Sequence, residues 1–168
     1  MKNGLKKSVR RDLKTVAETI EEAAVGMLTT VDHNGGLCSR PMLVEELDEE
    51  GNLWFFTLSD SNLMEEVRKI PVVNLTFTAG KDKFLSATAI GYEAFDKEKM
   101  AALWDPSLLK WFKDGLETPE LTLLKLDLQE VEYWGSPHSV LFKVINFLKS
   151  GDEQTAKAAE YKKVDLRQ

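Results

Sequence analysis

Arg40 sets a guanidinium inside an otherwise uncharged, proline-restricted run, Ser39-Arg40-Pro41-Met42. An arginine in such a run must meet an anion or reach solvent, and its planar fork suits a phosphate. Pro41 has no N–H to give a ladder, so the strand is at an edge or irregular beside Arg40, where a ligand could approach. Met42, two positions on, shares a face with Arg40. Further along, Trp54-Phe55-Phe56-Thr57 brings a hydroxyl to the end of a short apolar strand. Ser59 and Ser61 follow at the expected start of a helix, where hydroxyls and free main-chain N–H groups favour an anion. Phe55 lies on the Thr57 face, and Trp54 and Phe56 lie on the other. As neighbouring strands, the two segments offer an anion clamp beside an apolar wall. That combination suits a flat molecule carrying a phosphate.

Each feature also has a plainer explanation. Arg40 could pair with Glu45 or Glu46, or face solvent. Met42 and the phenylalanines could be core packing alone. Ser59 or Ser61 could simply cap the helix, which does not exclude a ligand. Trp104, Trp111 and Trp134 crowd one region and fit either a dimer interface or local packing. Other chemistries lack an anchor. Two histidines and one cysteine cannot build the usual structural zinc site. Neither a glycine-rich phosphate loop nor a Gly-x-Ser-x-Gly elbow occurs. Cys38 has no disulfide partner in the chain.

The elements that position these residues follow from periodicity. Val9, Leu13, Val16, Ile20 and Ala24 recur at helical spacing over Ser8 to Ala24, and Gly26 is the expected stop. Strands are expected at Met27–Val31, Leu37–Leu47, Leu53–Leu58, Val72–Thr78, Phe84–Phe95 and Leu121–Trp134. The first three, joined by Asn-Gly-type turns, read as an antiparallel meander. Ser59 to Ser61 cap a short helix from Asn62 to Lys69, and Asp96 caps another. In the last strand Thr122, Leu124, Leu126, Leu128, Glu130 and Glu132 form the expected inward set. Ser136-Pro137 opens a final helix bearing Val140, Leu141, Val144, Ile145 and Leu148. Six antiparallel strands with exposed edges gain by closing, so a mainly β fold is expected: a six-stranded barrel with peripheral helices. Residues 1–150 make one domain, and the charged tail 151–168 is expected to be loosely held.

Composition narrows the partners. The 168 residues are 43% hydrophobic and 30% charged, ordinary for a globular domain. A net charge of −6 argues against a general nucleic-acid binder. No apolar run reaches the roughly 20 residues of a membrane span. A lone cysteine and a charged beginning without a signal-peptide core point to the cytoplasm.

The ordered set Leu28-Thr29-Thr30, Ser39-Arg40-Pro41-Met42 and Leu53-Trp54-Phe55-Phe56-Thr57 resembles the general stress protein 26-like branch of the pyridoxamine 5′-phosphate oxidase-like superfamily. Val73-Asn74-Leu75, Leu103-Trp104-Asp105-Pro106, Trp111-Phe112, Gly115, Leu123-Leu124 and Glu132-Tyr133-Trp134 continue the likeness over residues 8 to 150. The resemblance implies a split β-barrel that pairs as a homodimer and holds flavin mononucleotide (FMN) at the subunit interface. It implies that Arg40, Pro41, Met42, Phe56 and Thr57 face the flavin and its phosphate, with Phe55 in the same stretch. Two departures stand out. The family's Ser-x-Lys becomes Ser61-Asn62-Leu63 here, which removes a phosphate-holding cation. Losing such a contact costs about 1.5–3 kcal/mol, roughly 10- to 150-fold in affinity. Ala89 stands where a glycine is usual. The implied function is a flavin-binding, oxidoreductase-like stress-response protein. The alternatives are a non-catalytic flavin carrier or sensor, or a dimeric barrel that has lost the cofactor.

Overall fold

The computed structural model describes residues 14–135 and the backbone of Glu160–Asp165. The chain opens with helix α1, residues 14–23, which buries Val16 and Ile20. The helix ends at Ala24, whose φ of 59° is left-handed, rather than at Gly26. Gly26 belongs instead to strand β1 (Val25–Val31), where a Cβ would come within 2.7 Å of the Phe77 ring. Its role is close approach between strands, not helix termination.

Strand β2 (Leu37–Leu43) returns along β1, with Leu28 opposite Arg40 and Met27 opposite Pro41. The expected Leu37–Leu47 strand then changes partner. Val44 N–H donates to Ala24 C=O beside β1 (3.0 Å), and Glu45 N–H donates to Trp54 C=O (2.9 Å). After this seam come the two-residue β3 (Glu46–Leu47) and β4 (Asn52–Leu58). Between them Gly51 takes φ 87°, and Asp48 Oδ1 accepts from the Asn52 and Glu50 N–H groups. The expected meander is therefore broken: β4 ladders with β7 (Leu121–Gly135), not with β2. The remaining strands are β5 (Val72–Ala79) and β6 (Lys83–Ala94). All ladders are antiparallel, in the order β2-β1-β5-β6-β7-β4-β3. Because β2 and β3 are consecutive in the chain, the sheet curls into a split barrel whose slit lies between β2 and β4. Glu160–Asp165 adds a further strand, β8, along the Glu130–Gly135 end of β7. The expected final helix after Ser136 lies outside the described residues.

Two apolar layers result. Leu28, Leu53, Phe55, Leu75, Leu85, Leu124 and Leu126 fill the barrel. Helix α2 (Asn62–Lys69) closes it with Leu63, Met64 and Val67. Outside β4, Phe56, Leu121 and Leu123 form a second cluster with Met100 of α3 (Lys97–Leu103) and Leu108 of the 3₁₀ turn Pro106–Lys110. A bulge at Thr88/Ala89 corrects the inward set expected for the last strand. Thr88 faces Glu130 and Ala89 faces Leu128, so Gln129 is the extra residue. Beyond it the alternation reverses: Val131 is buried in the barrel, while Glu130 and Glu132 are not.

Candidate functional site

Strand alternation sorts the expected site residues onto two faces. Arg40 pairs with the buried Leu28 and so projects to the inner side of β2. There its Nη2 donates to Glu66 Oε2 on α2 at 2.7 Å. Thr30 Oγ1 donates to the same oxygen at 2.5 Å. The carboxylate that neutralises Arg40 thus comes from a helix, not from Glu45 or Glu46 as the local spacing suggested. Glu46 is held by Lys99. Burial opposes the charge of Arg40, but hydrogen bonding to Cys38 and the ion pair with Glu66 together outweigh it and raise the Arg40 pKa. The other guanidinium N–H groups of Arg40 meet no oxygen of the described residues.

Thr57 also faces inward and is buried. Its hydroxyl lies 3.4 Å from that of Ser61. Ser61 caps α2, accepting from Met64 N–H and donating to Leu58 C=O at 2.6 Å. Helix α2 therefore spans the slit: it meets Arg40 of β2 through Glu66, and Thr57 of β4 through Ser61. Asn62 is exposed at the first turn of the helix, whereas Leu63 is 5% exposed and packs in the barrel. Phe55 is fully buried in the same core, away from any opening. Ser59 stands apart, its carbonyl and hydroxyl accepting from Arg68 Nη2 at 2.8 and 2.9 Å. Arg68 in turn holds Glu93 at 2.6 Å. Ser59 and Glu93 border a separate open cavity of about 760 Å³ under α3.

On the outer side of the slit lies a groove of about 380 Å³. Val25, Pro41, Met42 and Leu43 form one lip; Phe56, Leu108, Trp111 and Phe112 form the other, and Glu45 sits at the seam. The aromatic wall is built by the segment after α3. Asp105 caps the 3₁₀ turn by accepting from Ser107 N–H at 2.8 Å. Trp104 meets Phe56 edge-on at 5.4 Å between ring centroids, and Phe112 lies 6.3 Å from Phe56. Trp111 is 69% exposed at the rim. The groove falls in the size range of small-molecule sites, about 300–1,000 Å³, and its flat apolar walls suit a planar ring. Pro41 and Phe56 thus come together on the outer side, while Arg40, Thr57 and Ser61 gather on the inner side of the same slit; Met42 borders the groove but, on the Arg40 face, packs against the barrel core.

Sequence reasoning missed Glu66 and the groove-facing role of Glu45. Glu66 directly precedes Val67 on the Leu63-Met64-Val67 stripe, so its position flanking a buried helix face was legible. In the sequence Glu45 suggests only a partner for Arg40. Burial and, second, the negative charge of Asp105 push its carboxyl up to about 7.

The comparisons with known proteins agree with this architecture. The family described as pyridoxamine 5′-phosphate oxidase like matches residues 11–157. The chain is similar to the general stress FMN/FAD binding protein of Xanthomonas citri, with 27% identity and a TM-score of 0.64, over 75% of this chain and 89% of that one. A general stress protein 26 from Jannaschia sp. matches at 20% identity and TM-score 0.66, over 92% of this chain and 99% of the other. A pyridoxamine 5′-phosphate oxidase-related, FMN binding protein from Nostoc punctiforme matches at 14% identity and TM-score 0.62, over 92% and 96% of the two chains. At those identities the last two establish the fold alone. No curated protein matches the chain.

Proposed function

Because the chain belongs to the pyridoxamine 5′-phosphate oxidase-like family, we propose that it binds FMN across the slit and works as a flavin-dependent oxidoreductase of the stress-response type. The groove carries this reading: Pro41 and Phe56, drawn from two strands that share no ladder, meet there as walls for a flat ring, with Met42 at its border. Bound there, a flavin would supply two-electron redox chemistry, which no side chain of the groove provides. The protein's share is orientation and exclusion of water by Phe56, Leu108, Trp111 and Phe112. The phosphate would lie toward Arg40, Thr57 and Ser61, with Asn62 at the exposed first turn of α2. Arg40 would hold Glu66 and a phosphate at once, because only one of its N–H groups is committed to the carboxylate. Ser59, engaged by Arg68, would at most border the phosphate end. A homodimer fits the same picture, because Val25 and Trp111 at the groove, and Met27 and Val72 on the outer face of the neighbouring strands, leave apolar surface exposed.

One observation favours the cofactor-free alternative. Arg40 is already neutralised by Glu66, and Leu63 in the core replaces the family's lysine. A visible absorption spectrum after incubation with excess FMN and gel filtration decides. A yellow protein with a perturbed flavin band is expected; a colourless one overturns the flavin reading. Turnover with a reduced nicotinamide and an acceptor then separates an enzyme from a carrier.

A further inference from the structure

Glu45 is the one carboxyl bordering the groove, and its main chain is pinned at the seam by the bond to Trp54 C=O. No N–H or O–H of the described residues donates to that carboxyl. The charged groups around it are otherwise engaged. Glu46 is bound by Lys99, whose ammonium also lies 4.9 Å from the Trp54 ring centroid. Lys110 sits 5.7 Å over Trp111. Asp105, held ionised by the hydroxyl and N–H of Ser107, presents its negative charge to Glu45. With no cation to stabilise it and an anion beside it, a half-buried carboxyl favours its neutral form.

A neutral carboxyl is a hydrogen-bond donor. Apart from Trp111 Nε1 at the rim, no other side chain of the groove can donate to a bound ring. The polar edge of an oxidised flavin ring carries two carbonyl oxygens and two unprotonated nitrogens, which accept hydrogen bonds and whose partial negative charge a carboxylate would repel, and one N–H, which a carboxylate would attract; the two pairings give opposite pH dependences. We propose that Glu45, as the neutral acid, donates a hydrogen bond to an acceptor on the edge of the flat ring that occupies the groove, and so is a ring-binding residue of this site. This rests on the flavin reading given above.

The consequence is an affinity that depends on pH with a definite sign. Binding needs the protonated acid, so affinity falls as pH rises through about 7, the value to which the free carboxyl is pushed. Riboflavin is the appropriate probe because it has the ring but no phosphate to titrate. Its dissociation constant, read by flavin fluorescence at pH 6 and pH 8, is expected to be about ten-fold weaker at pH 8 for the native protein. Glu45→Gln keeps a neutral donor of the same shape. It is expected to bind as tightly as the native protein does at pH 6, and equally at both pH values. Glu45→Ala should be weaker at pH 6 and indifferent to pH. Native affinity that is flat or rises with pH, or a Glu45→Gln protein that keeps the pH dependence, overturns the role of Glu45 while leaving the flavin reading intact. If neither riboflavin nor FMN binds at either pH, the flavin reading falls and this proposal falls with it.

Discussion

Arg40 is shared between the fold and the ligand. Its bond to Glu66 ties β2 to α2, and its remaining N–H groups are what a phosphate would use. Arg40→Gln is therefore expected to weaken FMN binding about 10- to 150-fold, the worth of a charge-assisted contact of about 1.5–3 kcal/mol. Riboflavin binding should change little, since that ligand has no phosphate; parallel fluorescence titrations check the split. Leu63 makes the opposite point. Read from the sequence, it is a phosphate position that has lost its lysine. In the structure it is a core residue of the barrel lid, beside Met64 and Val67. Leu63→Lys must leave the stem buried and find an exit for the ammonium. It should lower stability by about 1–3 kcal/mol, visible as a lower melting temperature without ligand. The chemical types at the site were legible in Arg40, Pro41, Met42, Phe56 and Thr57. Their division between two faces followed from alternation, but the partner of Arg40 did not, because a contact between a strand and a helix 26 residues later leaves no local pattern.

Most elements followed from local chemistry. Helix α2 spans Asn62–Lys69 as its serine cap and apolar stripe require, and α3 begins at its Asp96 cap. Legibility ended where one backbone does two jobs. The Leu37–Leu47 run is continuously extended, so nothing in its periodicity marks the change of partner at Val44 and Glu45. The bulge at Gln129 likewise inverts the facing of Glu130, Val131 and Glu132, a shift that a strict period of two cannot anticipate. The loop after α3 carries Trp104-Asp105-Pro106 and Trp111-Phe112, and the purpose of that spacing emerges only in three dimensions. Asp105 starts the turn that presents the aromatic wall, and it places a charge near Glu45. Asp105→Asn keeps an acceptor for Ser107 and removes that charge. The midpoint of the riboflavin pH profile is then expected to move below about 7, because a source of the upward push is gone.

At the scale of the whole molecule, the barrel leaves one side uncovered. Val25 and Met27 of β1 and Val72 of β5 expose apolar side chains on the outer sheet, with Met27 at 42% exposure. If this surface pairs two copies, light scattering after size exclusion should give about twice the 19.0 kDa of one chain. Met27→Glu would place a charge in that surface and should return the mass to that of a monomer, with the fold kept because the residue faces outward. No described helix is long and apolar enough to cross a membrane. The seam at Val44 and Glu45 has one more effect, on time rather than on affinity. Between β2 and β4 the two halves of the sheet are joined by consecutive peptide units, one bonded to each side, rather than by a ladder. Parting the two lips breaks only these bonds and the contacts of α2 that span the slit, whereas parting a long ladder such as β4–β7 breaks a whole row. A ring lodged between the lips would thus leave at a rate set by how often the slit breathes, and residence time would answer to substitutions at the seam that scarcely touch the ring.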